Sequence, residues 1–180
     1  MTAQHDNHDR SPDATPDDIP EDLLQLFHDC FWGGYDDAVA GGTGHERDID
    51  WTRLVNGIEE FLKRHPTCVQ GWCRLGDFFS LNSEPGKAHE YFLKALAIDP
   101  LHAEAAIEVA GYELGDPKDK DRIERLLKIG LENLLPGSED EATLLSDVVH
   151  CARSCGFDDL ARRARERGLK SYPDGYWPEA

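Results

Sequence analysis

What this chain has little of narrows its function before any pattern is read. Positive charge is scarce: 19 Lys and Arg stand against 36 Asp and Glu, a formal net charge of −17 over 180 residues. Phosphate backbones are held by Lys and Arg, so nucleic acid is a poor partner for it. A basic protein or peptide is the electrostatic complement, and solubility is the plainer use of the same charge. No apolar run reaches membrane-spanning length, so no membrane partner is expected. The N-terminus has neither a basic start nor an apolar stretch, so no secretory signal is expected. The five cysteines, Cys30, Cys68, Cys73, Cys151 and Cys155, are an odd number without the look of a disulfide scaffold. The expected compartment is a reducing cytoplasm.

Catalytic patterns are missing too. There is no H-E-x-x-H, G-x-S-x-G, C-x-x-C pair or Walker sequence. Gly41, Gly42 and Gly44 sit in a loop over 33–47, but no strand precedes them and no Lys-Ser or Lys-Thr pair follows, so they make no phosphate cradle. His45-Glu46 is a lone dipeptide. With 36 acidic residues, acidic pairs are inevitable, and none stands out as acid and base. Cys151 and Cys155, at i and i+4 with His150 adjacent, could begin a zinc site, but no third and fourth ligand lies nearby, and the same spacing serves a helix core. The expectation is a non-enzyme with no metal and no cofactor. The rival from another class is an enzyme or metal protein using the 33–47 loop or Cys151 and Cys155.

What is present is helical periodicity, clearest between Trp72 and Pro100. Trp72, Leu75, Gly76 and Phe79 fall at i, i+3, i+4 and i+7, one face of a helix. Ala88, Phe92 and Ala95 mark one face of a second helix, which Pro100 ends. Asn82, Ser83, Pro85 and Gly86 supply turn chemistry between the two. Gly76 and Ala88 belong where the helices cross, because small side chains allow a close approach, and Trp72, Phe79 and Phe92 fill the space beside the crossing. This set resembles a tetratricopeptide (TPR) repeat, W-x2-L-G-x2-Y, A-x3-F and P, with Phe79 in place of the Tyr.

One such unit cannot bury its own faces, so neighbours are needed. Pro66, Pro100, Pro136 and Pro173 each close a helix-like run, at intervals of 34, 36 and 37 residues. Ala106, Val109 and Ala110 stand where Trp72, Leu75 and Gly76 stand one unit earlier. The fourth unit keeps Gly156, Phe157 and Ala161. The expected fold is all-α, a TPR-like α-solenoid of about four antiparallel helix pairs in a right-handed superhelix, with one clear repeat and degenerate flanking ones.

The expected domains are a disordered acidic tail over 1–20, the repeat domain over 21–174, and an aromatic tail over 175–180 that folds back as a cap or serves as a docking peptide. In the tail, His5 and His8 are read as solvated. Leu23, Leu26, Phe27, Cys30 and Phe31 share one helical face; 35–40 offers a short helix. Asp50 starts a helix with Trp51, Leu54, Val55, Ile58, Phe61 and Leu62 inside. Helices follow over 103–115, from about Asp119, from Ser138–Asp140 to Gly156, and over 158–171. Arg162, Arg163, Arg165, Arg167 and Lys170 on the last helix suit its dipole and also make a basic patch.

The TPR resemblance implies a protein-binding module whose first helices line a concave groove. Carried onto this chain, the groove positions are Gln70, Cys73, Arg74, Asp77, Ser80 and Leu81, then Glu104, Ile107, Glu108 and Gly111, then Ser146, Asp147, His150 and Arg153. The alternative for each is plain solvated surface. Some relatives grip a C-terminal carboxylate with Lys, Asn and Arg; here Asp77, Glu104 and Glu108 would repel one. The expected partner segment carries Lys or Arg, with apolar anchors for Leu81 and Ile107 and a hydrogen bond to Ser80. Adaptor and secretion-chaperone roles both fit, as does a structural subunit of a larger complex. The sequence does not set the oligomeric state.

Overall fold

The computed structural model describes residues 19–25, 51–114, 119–138, 140–175 and 177, with the side chain of Trp51 left aside. The 33–47 loop, the expected short helix over 35–40, Cys30 and the histidines of the N-terminal tail lie outside these residues. Among the described residues every regular element is a helix. None is long and apolar enough to cross a membrane. The chain divides into two compact units between Cys68 and Val69.

In the first unit, Ile19, at the end of the expected tail, is buried. A helical segment over 21–25 follows it, opened by the Leu23 and Leu24 amides donating to the Pro20 carbonyl. Helix α1, Trp51–Arg64, buries Leu54, Ile58, Phe61 and Leu62 on its apolar face. Leu23 packs on that helix where Gly57 leaves room: a Cβ on Gly57 would come within 2.6 Å of Leu23 Cδ2.

The second unit holds α2 (Val69–Leu81), α3 (Pro85–Ile98), α4 (Ala103–Glu113), α5 (Lys120–Asn133), α6 (Glu141–Cys155) and α7 (Asp158–Ser171). They pack as consecutive pairs, α2 with α3, α4 with α5 and α6 with α7. Pro85 opens α3 at its first position, where a missing amide costs nothing. Gly156 ends α6 in the left-handed conformation, φ 80°, its amide bonded back to Ala152 and Arg153.

The pair crossings follow the expected small-against-large rule. Leu75, Ala88, Phe92 and Ala95 have no exposed surface, and the Phe92 ring lies against Gly76. Ala106, Val109 and Ala110 are likewise fully buried. Trp72 lies beside the crossing. It is half-buried, its ring stacked on Tyr91 at 5.9 Å with the Lys94 ammonium 5.0 Å from its centroid, so it closes the edge of the pair and not its centre.

The last pair is tied by a buried ion pair. Arg167 donates to Glu141 Oε1 at 2.7 and 2.9 Å and to the carbonyls of Leu131 and Leu134 at 2.9 and 2.7 Å. Glu141 Oε2 accepts from the Gly137 amide at 2.8 Å and the Tyr172 hydroxyl at 3.1 Å. The buried carboxylate is thus satisfied on both oxygens, as burial requires. Two of the five basic residues expected as a patch on α7 are engaged within the fold. Arg167 serves this clamp, and Arg162 pairs with Asp159 and Glu166. Trp177 folds back over Gly168, buried, with Nε1 donating to the Tyr172 carbonyl at 3.0 Å.

Candidate docking face

Helices α2, α4 and α6 are the first members of the three pairs, and their polar positions gather in one place. Arg74 and Asp77 lie one turn apart on α2, with Arg74 Nη1 donating to Asp77 Oδ2 at 3.0 Å. The same nitrogen is 3.9 Å from Glu104 Oε1 on α4. Glu108 stands one turn beyond Glu104 and feels Asp147 of α6 and Asp77 of α2.

The acids are half-buried and crowd one another, and both effects favour their neutral forms. Burial first, then Glu104, pushes Asp77 up to about 7 against the pull of Arg74. Burial pushes Glu104 to about 7, with Arg74 opposing and Asp140 and Glu108 adding. Glu108 reaches about 7 through burial, Asp147 and Asp77. Burial also raises Asp147, with His150 tempering it. The face therefore stores unfavourable charge that an incoming cation would relieve. Tyr112 borders it: burial raises its phenol, with Ser80 opposing and Glu108 and Asp77 adding.

The remaining expected positions divide. Gln70, Ser80, Leu81, His150 and Arg153 are exposed, Leu81 by 64%. Ser146 and Asp147 also border an open cleft of about 680 Å³ beside Thr143, Tyr172, Asp174 and Trp177. Cys73 and Ile107 were expected on the groove surface and are instead buried. Ile107 fills the space above Gly130 at the α4–α5 crossing, where an added Cβ would collide with it. Gly111 sits where α4 meets α6, with an added Cβ 3.9 Å from Cys151 Sγ.

Burial, Asp147 and the neighbouring Cys155 raise the Cys151 thiol to about 12. Burial first, then Glu104, raises the Cys73 thiol well above its ordinary value too, so neither is a ready thiolate until something displaces its proton. Metal-capable side chains meet elsewhere: Cys73, His102 and Glu104 bring their ligand atoms within 4.8 Å of one another. His102 is the N-cap of α4, its Nδ1 accepting from the Ala105 amide at 3.4 Å and standing 3.8 Å from Cys73 Sγ. Sequence reasoning passed over His102. Its only signal was its place one residue before a helix, and its partner lies 29 residues away.

No protein-family model matches this chain, and no curated protein sequence matches it. Solved structures do: eleven chains match. One of them, a crystal structure of MamA, superposes with a TM-score of 0.52 at 19% identity, over 78% of this chain and 74% of that one. MamA is a TPR-like helical protein. At that identity the likeness speaks for the fold alone, and the fold is all-α and TPR-like.

Proposed function

We propose that this protein is a non-catalytic interaction module, an adaptor or chaperone of the cytoplasm. Its α2–α4–α6 face takes a segment of another protein in which Lys or Arg alternates with apolar residues. The observation that supports this reading most is the meeting of Asp77, Glu104, Glu108 and Asp147 from α2, α4 and α6, with Arg74 beside Asp77 and Glu104. A basic side chain placed among them returns their charged forms to favourable company. Exposed Leu81 at the rim supplies an apolar contact; buried Ile107 does not. The secretion-chaperone version draws on the chain's acidity and size, and a repeat fold suits holding an extended or helical segment.

The test is fluorescence anisotropy with a labelled peptide alternating Lys and Leu. Binding should weaken with added salt and fall by ~10-fold or more, about 1.4 kcal/mol, in the Asp77→Lys, Glu108→Lys double variant. Binding unchanged by the double reversal would move the docking surface elsewhere.

A further inference from the structure

We propose that Cys73, His102 and Glu104 form a binding site for one zinc(II) ion at the junction of α2 and α4. The site shares Glu104 with the docking face, but it does not depend on that face taking a peptide.

The donor set is a sulfur, an imidazole nitrogen and a carboxylate oxygen, the mixture that zinc accepts in tetrahedral sites. Their spacing fits as well. Zinc bonds of about 2.3 Å to sulfur and about 2.1 Å to nitrogen set a tetrahedral sulfur–nitrogen edge of roughly 3.6 Å. Cys73 Sγ and His102 Nδ1 stand 3.8 Å apart. Glu104 Oε lies within 4.8 Å of both. Its long side chain closes the remaining gap by a rotation, and its tie to Arg74 is loose at 3.9 Å.

The helices hold these groups ready. Nδ1 of His102 faces the Ala105 amide as an acceptor, which leaves the proton on Nε2, the neutral tautomer that a metal needs. At 3.4 Å that bond is long, so little is lost when Nδ1 turns its lone pair to a cation. The Cys73 thiol has no exposed surface, and 3.8 Å from Nδ1 it makes only a weak sulfur contact. Asp77, one turn beyond Cys73 on α2, is held by Arg74 at 3.0 Å, so the fourth position is left to a water. Binding exchanges the thiol proton for the metal and releases that proton to solvent.

The full chain, reduced and stripped of metal, is titrated with cobalt(II) and then with zinc(II). A thiolate-to-cobalt charge-transfer band should grow to one equivalent and be displaced by zinc, and zinc should raise the melting temperature. Cys73→Ser should abolish the band and the thermal shift. His102→Asn, which keeps an N-cap acceptor, should weaken binding by at least ~10-fold. Glu104→Gln should weaken it too, while Cys151→Ser, Cys155→Ser should leave it intact. No band in the unaltered chain overturns the proposal, and so does a band that survives Cys73→Ser or disappears with Cys151 and Cys155. If Cys73→Ser fails to fold, unchanged binding in His102→Asn overturns it equally. Either result would leave Cys73 and His102 as a packing contact.

Discussion

Phe92 of α3 lays its ring against the bare backbone of Gly76 on α2, so closely that a Cβ there would lie 2.6 Å from Cζ. Phe92 has no exposed surface. Gly76→Ala should therefore destabilise the second unit. Overpacking costs about 1–3 kcal/mol, and the helix preference of Ala returns about 1. Gly86→Ala is the control: nothing lies within 4 Å of its added Cβ. It should be neutral or stabilising by up to about 1 kcal/mol. Urea unfolding followed by circular dichroism separates the two, and equal effects would remove the steric account of the crossing.

Glu141 is buried with Arg167, and removing its charge should be expensive. Glu141→Gln leaves the guanidinium without its anion, and breaking a buried pair in this way costs about 3–5 kcal/mol. Burial works to raise the Glu141 carboxyl. The Gly137 amide, Arg167 and the Tyr172 hydroxyl outweigh it and hold it below the usual carboxylate range. A lowered folded value means that its stabilisation is present above the unfolded carboxylate range and is lost as pH falls through the folded one. The gap between the parent and Glu141→Gln in urea midpoint should thus narrow on acidification. A gap that stays constant would contradict the assignment.

Glu108 should show the opposite sign. Asp147 faces it from α6 and Asp77 from α2, and Tyr112 follows it on α4. With its folded value near 7, stability is full below the unfolded carboxylate range and is lost as pH rises through about 7. Glu108→Gln, measured in a metal chelator, should lose less stability than the parent over that rise. Parallel pH curves for the two proteins would show that the carboxyl is not perturbed.

Much of the fold was legible because the crossings are steric. Gly76 and Phe92 announce a close approach by size and spacing alone, and Pro85 and Gly156 mark helix ends by backbone chemistry. Spacing names the face that Trp72 shares with Leu75 and Phe79, but not how far a large ring reaches past its edge. Asp77, Glu104, Glu108 and Asp147 were individually visible. Their mutual crowding, and with it their raised proton affinity, depends on how three helices pack. Ile107 lay on the expected face by carry-over from the first pair. Gly130, on another helix, draws its side chain inward. Within the basic run of α7, sequence does not show that Glu141, 26 residues away, claims Arg167.

The central claim is that a basic segment docks on α2, α4 and α6. Isotope-labelled protein titrated with the Lys–Leu peptide and followed by amide chemical shifts maps the contact directly. The account predicts shifts concentrated at Arg74, Asp77, Leu81, Glu104, Glu108 and Asp147, saturating with the anisotropy curve. Shifts confined to α3, α5 and α7, or to the end covered by Trp177, would contradict it.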